Sequence, residues 1–368
     1  MGEGDRAEIR FAAGVDGVQL TTDNEVRNIR LSAAPNKRSV FNDTGVESLG
    51  RLTLAGIAAT GQVQILARDK VRSGHVEVNG LDIVAADARA WTERPHGYGV
   101  YVIQGALTLW NMQTDENVTE LSELAAGRIG APVLGSGVFV SGAGDKGGRL
   151  LVSLLETGAI YSDAKIPAGT PDQNSGGVFT LHGCRVDVVR NRGPVSTYGV
   201  NDMALDNWGF VDRWIAEEKI TSYGPSGIGF VNFGIVNELT VRAPIETFGL
   251  GARAFNVYTG TVHLAEFDRI VTYADGAVGV QIGQPIGRLV VHRGIETFGG
   301  TGKSLVKGVI TTLSAIGLSI KPGGSAQEIE IDGGIATNGP GIAPFELHGT
   351  ICSLRVSGGF TAAGGGFD

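Results

Sequence analysis

A five-residue phrase returns at a fixed interval through the second half of the chain. It reads Val195-Ser-Thr-Tyr-Gly199, Ile220-Thr-Ser-Tyr-Gly224, Ile245-Glu-Thr-Phe-Gly249, Ile270-Val-Thr-Tyr-Ala274 and Ile295-Glu-Thr-Phe-Gly299, 25 residues from start to start. It returns at Ile335-Ala-Thr-Asn-Gly339 and, degraded, at Phe360-Thr-Ala-Ala-Gly364. The longer step from Ile295 to Ile335 fits one repeat plus an insertion of about 15 residues, expected near 309–324. A constant period of this kind means that one supersecondary unit is stacked on copies of itself. Each unit carries three short β-type runs, such as 228–233, 237–241 and 245–248, parted by glycine or polar turns. None has helical periodicity or length. Three strands and three corners make one coil of an all-β solenoid, a single-stranded right-handed parallel β-helix. Its coils lie about 4.8 Å apart. A propeller blade needs roughly 40 residues, too many for this period.

Upstream the rhythm loosens. Ile57-Ala-Ala-Thr-Gly61 resembles the phrase, and the runs 75–78, 99–105, 137–142 and 177–183 continue it at wider spacing. The chain therefore divides into an N-terminal segment with the first coils (1–50), coils with long insertions (51–194) and regular coils (195–368), all in one continuous domain. A short helix is expected at 118–126, as cover over a different corner.

Composition narrows the alternatives. Glycine accounts for 58 of 368 residues, but without a G-X-Y register and with only 12 prolines, so collagen is excluded. Apolar residues make up 42%, enough for a real core. The net charge of −8 and the scattered basic residues argue against a nucleic-acid partner. No apolar run is long enough to span a membrane. Met1–Phe11 shows no secretion signal, which leaves the compartment open between the cytoplasm and a secreted chain whose signal has been removed. Cys184 and Cys352 are expected to be buried free thiols.

The repeat style resembles the right-handed β-helix superfamily, over 195–364 well and over 50–194 loosely. That class includes pectate-lyase-like enzymes, polygalacturonase-like hydrolases, phage tailspikes and autotransporter passenger domains. The Ile-x-Thr-x-Gly phrase with Asp275-Gly-Ala-Val-Gly279 looks most like passenger-type coils. The resemblance implies a solenoid with a working face along its outside.

Alternation along strands assigns the faces. Leu205, Phe230, Phe255, Val280 and Leu305 share one apolar position and should face the core. Asn207 and Asn232 share that parity and suggest an internal amide ladder. One outward row reads Thr180, Asp206, Val231, Asn256, Gln281, and the next His182, Trp208, Phe233, Tyr258. Glu346 and His348 should join these rows near the C-terminal end, and Val102 and Gln104 upstream. An aromatic stripe beside carboxylates suits a sugar, whose C–H faces stack on rings while polar neighbours fix hydroxyls. The same stripe could instead be covered by loops or by a partner subunit.

Long insertions precede this strand at 85–99, with Trp91, Glu93, His96 and Tyr98, and at 158–176, with Tyr161, Asp163, Lys165, Asp172 and Asn174. They should wall a groove whose floor is the outward row. The densest polar cluster is 201–209, with Asp202, Asp206 and Trp208. Asp202 and Asp206 would lie roughly 10–13 Å apart on an extended strand. A glycosidase pair needs about 5–9.5 Å, so Asp163 or Asp172 is a further candidate. Each of these aspartates could equally cap a turn. The candidate catalytic groups are thus Asp206, Asp202, Asp163 and Asp172, and the candidate sugar contacts are Trp208, His182, Tyr258, Asn256, Trp91 and Tyr161. Lys165, Arg192 and Arg213 are candidate bases for chemistry on uronic acids.

The Asn-Thr-Asp, Asp-Asp and Gly-His-Gly signatures of polygalacturonase-like enzymes are missing, as is a pectate-lyase-type arginine motif. No P-loop, dinucleotide fingerprint or His/Cys zinc spacing is present, so no cofactor or metal is implied. The expectation is a carbohydrate-active enzyme, hydrolase, lyase or transferase, on an oligo- or polysaccharide. The alternative is a non-catalytic structural or glycan-binding β-helix, adhesin- or tailspike-like, with the aromatic row in a homo-oligomer interface, a trimer above all. The heavy decoration upstream of residue 210 favours the enzyme.

Overall fold

The computed structural model describes residues 7–113, 117–144 and 147–364. Among them there is no helix. Two parallel sheets run the length of the chain. One is a column of twelve strands, pairing in coil order from Val18–Leu20 through Asp202–Asn207 to Phe345–Leu347. The other, of 22 strands, holds the two remaining runs of each coil. This all-β, solenoid-like stacking is compatible with a parallel β-helix.

The repeated phrase explains itself residue by residue. Its first positions stack directly, Val195 on Ile220, Ile245, Ile270, Ile295 and Ile335, and all are buried. The threonine also faces inward. The Thr272 and Thr337 hydroxyls donate to the carbonyls of Ala277 and Ile342, at 2.6 and 2.7 Å, pinning the corner that follows. The aromatic position points out and stacks on its copies: Tyr198, Tyr223, Phe248, Tyr273 and Phe298 form a ladder with centroids 4.5–5.3 Å apart. Glycine closes the phrase because a Cβ on Gly224 would lie 1.7 Å from the Gly199 carbonyl oxygen one coil away.

The inward row is Leu205, Phe230, Phe255 and Val280, as alternation requires, but its next member is Leu318. Leu305 instead lies on an antiparallel hairpin, Thr301–Val306 with Val309–Ser314. The insertion therefore begins at 301, because those residues pair with each other before the coil resumes. Asn207 and Asn232 form the internal ladder, Asn207 Nδ2 donating to Asn232 Oδ1 at 2.8 Å.

Alternation slips once per coil. Ala204 and Leu205, and again Ala254 and Phe255, both belong to the main core, so Met203, Ile228 and Arg253 turn outward. Two adjacent inward residues fit only where the first is small. At Gly229 a Cβ would meet Ile245 Cγ2 at 2.5 Å.

Several expectations change. Residues 118–126 belong to a strand, Asn117–Ala126, paired on both sides with Ser73–Ala85 and Leu150–Asp163, which leaves no room for a helix. Asp206 pairs with Phe179 and Asn207 with Thr180, one residue from the assumed register, so Phe179 and Leu181 face outward. Thr180 turns inward, its hydroxyl on Asn207 Oδ1 at 2.8 Å. The coil strand upstream is Gly105–Asn111, and Val100–Val102 is an added strand on the edge at Gln173–Asn174. Gln104 is buried and hydrogen-bonded to Gln64. Cys352 is exposed, while Cys184 is buried in the core, which pushes its thiol far up.

Candidate functional site

The outward face of the twelve-strand column around Trp208 is covered. Val100, Val102, Phe139, Phe179, Leu181, Met203, Trp208, Ile228, Val231 and Phe233 form a second apolar cluster on it. The segment after the 85–99 insertion makes the cover. The Tyr98 ring stacks on Phe233 at 4.3 Å and on His182 at 5.3 Å, and meets Trp208 edge-on at 5.1 Å. Tyr258 extends the stack from Phe233 at 5.1 Å. Asn256 is buried in the next row beside Gln281, at 3.3 Å. The insertions thus lie over the row rather than wall an open groove above it, because Tyr98 and its neighbours bring more apolar surface than solvent would tolerate.

Asp206 sits under this cover, between Phe179 and Val231 of the adjacent coils. Neither carboxyl oxygen has a regular hydrogen bond. Burial holds its acid far above the ordinary range, and the nearby Trp208 indole N–H, not aligned to donate, opposes this only partly. An uncompensated carboxylate in such a place would cost several kcal/mol, so the neutral acid is the resident form.

Asp202 and Asp163 do come together. A Cβ on Gly199 would fall 2.5 Å from Asp202 Oδ2 and 2.9 Å from Asp163 Oδ1, so both carboxyls converge on that glycine. Asp202 is fully buried. It accepts from the Ser175 hydroxyl and, at 2.8 Å, from the Gly199 N–H. Burial pushes its acid up to about 7, the hydrogen bonds from Ser175 and Gly199 pull it down, and the Asp163 charge adds to the rise. Asp163 is half-buried and accepts from the Lys165 backbone N–H at 2.7 Å.

Beside this pair lies an open cleft of ≈ 420 Å³. Its floor is apolar, from Ile103, Ala164 and Ile166, and its walls carry Asn36, Asp87, Arg89, Arg94, Lys165 and Gln173. Arg89 grips Asp87 with two hydrogen bonds, at 2.9 and 2.8 Å, and holds that carboxyl below its ordinary range. Arg94 has no carboxylate among the described residues. It donates instead to the carbonyls of Trp91 and Arg89, at 3.0 and 2.7 Å, and burial lowers its pKa. Lys165 is exposed on a left-handed corner, φ 50°. With Asp87 neutralised, the cleft carries excess positive charge in a chain of net charge −8.

The other sequence candidates lie apart from it. Asp172 is exposed and engaged through its backbone, its carbonyl accepting from the Tyr101 N–H at 2.7 Å. Trp91 packs under the Arg38 guanidinium at 5.2 Å. Tyr161 is buried on the Leu150–Asp163 strand, beside Ser196 of the next coil. Arg192 pairs with Glu156 at 2.9 Å, and Arg213 lies on the larger sheet. Sequence reasoning passed over Arg89 and Arg94, although both stand in the insertion it singled out. The available signal was two arginines among aromatic residues in a loop. Among the described residues no group of three His, Cys, Asp or Glu could hold a metal. Compared with protein-family models, curated proteins and solved structures, the chain returns no match.

Proposed function

We propose that the chain is a right-handed parallel β-helix that takes an acidic oligosaccharide, of the uronate type, in the cleft of Arg89, Arg94 and Lys165. The handedness follows from a general rule: crossovers between parallel strands are right-handed in about 98% of cases. One observation carries the ligand reading. The cleft is ligand-sized, and once Arg89 and its one lining acid, Asp87, have neutralised each other, Arg94 and Lys165 remain as its excess positive charge. Guanidinium groups match carboxylates in shape and charge. The apolar floor of Ile103, Ala164 and Ile166 offers cover for sugar C–H faces, while Asn36 and Gln173 offer partners for hydroxyls. In the enzymatic version Asp163 is the member of the carboxyl pair that reaches solvent.

The test is calorimetric titration with oligogalacturonate and with a neutral malto-oligosaccharide. The acidic ligand alone should bind, more weakly as salt rises, and Arg94→Ala should weaken it about 10-fold, equivalent to about 1.4 kcal/mol. Equal binding of the neutral sugar, or no binding of the acidic one, refutes the reading. Turnover that Asp163→Asn abolishes while binding persists would support an enzyme. Binding without turnover would support a non-catalytic glycan-binding β-helix. Assembly into a homo-oligomer draws support from the exposed ladder of Tyr223, Phe248, Tyr273 and Phe298, not from the covered Trp208 row.

A further inference from the structure

A second set of cations, Arg253 and Lys307, lines a cavity distinct from the cleft. Arg253 is fully buried on the outward row, between Ile228 and Val278 of the neighbouring coils. A guanidinium keeps its proton under all ordinary conditions. Buried alone it is expensive, by several kcal/mol, unless a counter-charge answers it. Among the described residues no carboxylate does. Its Nη2 donates to Ser304 Oγ at 2.7 Å and reaches the Leu305 carbonyl at 3.5 Å, both neutral acceptors, while Nε has no partner.

The hairpin inserted at 301–314 brings a second cation over the first. Its stem is fastened to the coils below: Ser304 Oγ donates to the Gly251 carbonyl at 2.7 Å, and the Leu305 N–H to Ser226 Oγ at 2.8 Å. Its tip turns at Lys307 and Gly308, both left-handed, φ 48° and 80°. A Cβ on Gly308 would lie 3.4 Å from the Pro171 carbonyl oxygen and 3.9 Å from that of Gly99, so the tip meets both neighbouring insertions. The Lys307 ammonium ends 5.0 Å from the Tyr258 ring, and the Arg253 guanidinium 5.9 Å from the same ring. Lys307 also lacks a carboxylate among the described residues, and burial lowers its pKa.

Between them is a small cavity of ≈ 30 Å³, whose polar lining includes Asn174 and Asn201 beside the two cations. Asn174 Oδ1 has no partner there. Side-chain amide orientation is an assignment, and the reversed amide points N–H donors into the space. The cavity exceeds the roughly 10–15 Å³ that one water needs, and it is far too small for a sugar ring. The rest of the lining is mainly apolar and aromatic, and the charged groups in it, Arg253 and Lys307, are of one sign.

We propose that the hairpin closes an internal site in which Arg253, Lys307 and Asn174 hold a small monovalent anion, either a chloride or a single carboxylate group. The anion supplies the counter-charge that the chain withholds from Arg253, and so locks the hairpin onto the coils.

The test uses the whole protein dialysed into sodium gluconate, whose anion is too large to enter. Sodium chloride, bromide or acetate is then titrated in at constant ionic strength, and the thermal midpoint is read. The expected result is a saturable rise, and an anomalous bromide peak in the cavity of a soaked crystal. Chloride and bromide acting alone identify an inorganic anion, acetate alone a carboxylate, and all three together their shared chemistry. Lys307→Met, at an exposed turn, should raise the apparent dissociation constant about 10-fold. Arg253→Met should lose the anion response, and its midpoint in gluconate should equal or exceed that of the parent protein. Arg94→Ala should leave the response unchanged, which separates this site from the cleft. An unchanged midpoint in every anion, an equal response in Lys307→Met, or bromide found only on the surface overturns the proposal.

Discussion

Replacing Asp202 with asparagine tests the central electrostatic claim, because the substitution removes a charge and keeps the shape. The acid of Asp202 moves from its ordinary 3.8 to about 7 on folding. The folded state therefore holds the proton more tightly than the unfolded one. Below about pH 3 both states are protonated and burial carries no charge penalty, and at pH 4 the penalty is still only about 0.5 kcal/mol. As pH rises from about 4 to about 7 the unfolded state ionises first, and stability falls. Above about 7 the full penalty is present. At about 1.4 kcal/mol per tenfold it amounts to about 4 kcal/mol, an upper bound because local opening admits water. At about 2.1 cal/mol/K per residue over 368 residues, that corresponds to a midpoint shift of about 5 °C. Asparagine can still accept from the Gly199 N–H and donate to the Ser175 hydroxyl, while the Ala164 N–H that also faces the carboxyl loses some of its acceptor at every pH, an offset that does not change with pH. Scanning calorimetry of both proteins between about pH 4 and 8.5 should give nearly equal midpoints at the acid end. Asp202→Asn should be the more stable by up to about 5 °C at the alkaline end. The titrating groups other than Asp163, whose charge acts on Asp202, are common to both proteins and cancel in the difference. A difference that stays flat across this window refutes the reasoning.

Three further outcomes follow from the packing. Asp206→Leu should stabilise the protein at neutral pH by about 1–3 kcal/mol, since it removes two buried oxygens without partners. Denaturant midpoints check this, and a loss of stability would mean that the carboxyl binds something. Asn232→Ala should destabilise by about 1–3 kcal/mol, because it deletes the acceptor of Asn207 Nδ2 and the donor to the Gly234 carbonyl. The same midpoints measure it, and a neutral result would make the amide ladder dispensable. Tyr223→Ala should cost about 1–3 kcal/mol, as its ring stacks on both Tyr198 and Phe248 at about 0.5–1.5 kcal/mol per pair. If its midpoint matches the parent's, the outer ladder carries no stability.

The fold was legible because the repeat is a physical register. Once Ile220 sits on Val195, pairing fixes every side chain of the coil, and the Asn207–Asn232 bond followed from spacing alone. Reading failed where the coil length changes. Between Phe179 and Asp206 the step is 27 residues, and assuming 26 turned Thr180 outward when it bonds inward to Asn207. At 301–314 the chain pairs with itself, and a frame carried across it misplaced Leu305. The site was less legible for a different reason. Parity says which side of a sheet a residue faces, but not whether another segment lies over it. Asp206 and Trp208 do face outward, and Tyr98 covers them from more than a hundred residues away. Arg253 was open to reading. Its counterparts in adjacent coils are Ile228 and Val278, and a charge in an apolar row has to be answered by something.

Charge is handled in two ways along this chain, and the difference locates function better than any single residue. Along the larger sheet, ions on neighbouring coils neutralise one another at the surface, as in Lys219 with Glu246, Arg269 with Glu296, at 2.6 Å, and Arg288 with Glu328, at 3.1 Å. Such exposed pairs contribute little and are cheap to keep. On the twelve-strand column, Asp202, turned to the corner at Gly199, and Asp206 and Arg253, on the outer side, are each fully buried without an ion pair. Asp206 and Arg253 do not answer each other. They stand two coils and three residues apart, the guanidinium is turned to Ser304 and Leu305, and both Asp206 oxygens are left without a hydrogen bond. A stacked sheet has no use for unpaired charge, and replacing it with leucine is the simpler solution at every coil. These buried ionisable groups, a neutral acid at Asp206 among them, occur where the insertions at 85–103, 164–172 and 301–314 lie over the column. Chains keep costly buried ions where a ligand or a proton is to be bound. The decorated side is therefore where binding should be sought, in the cleft of Arg94 and in the separate cavity of Arg253, whose linings meet at the consecutive residues Gln173 and Asn174.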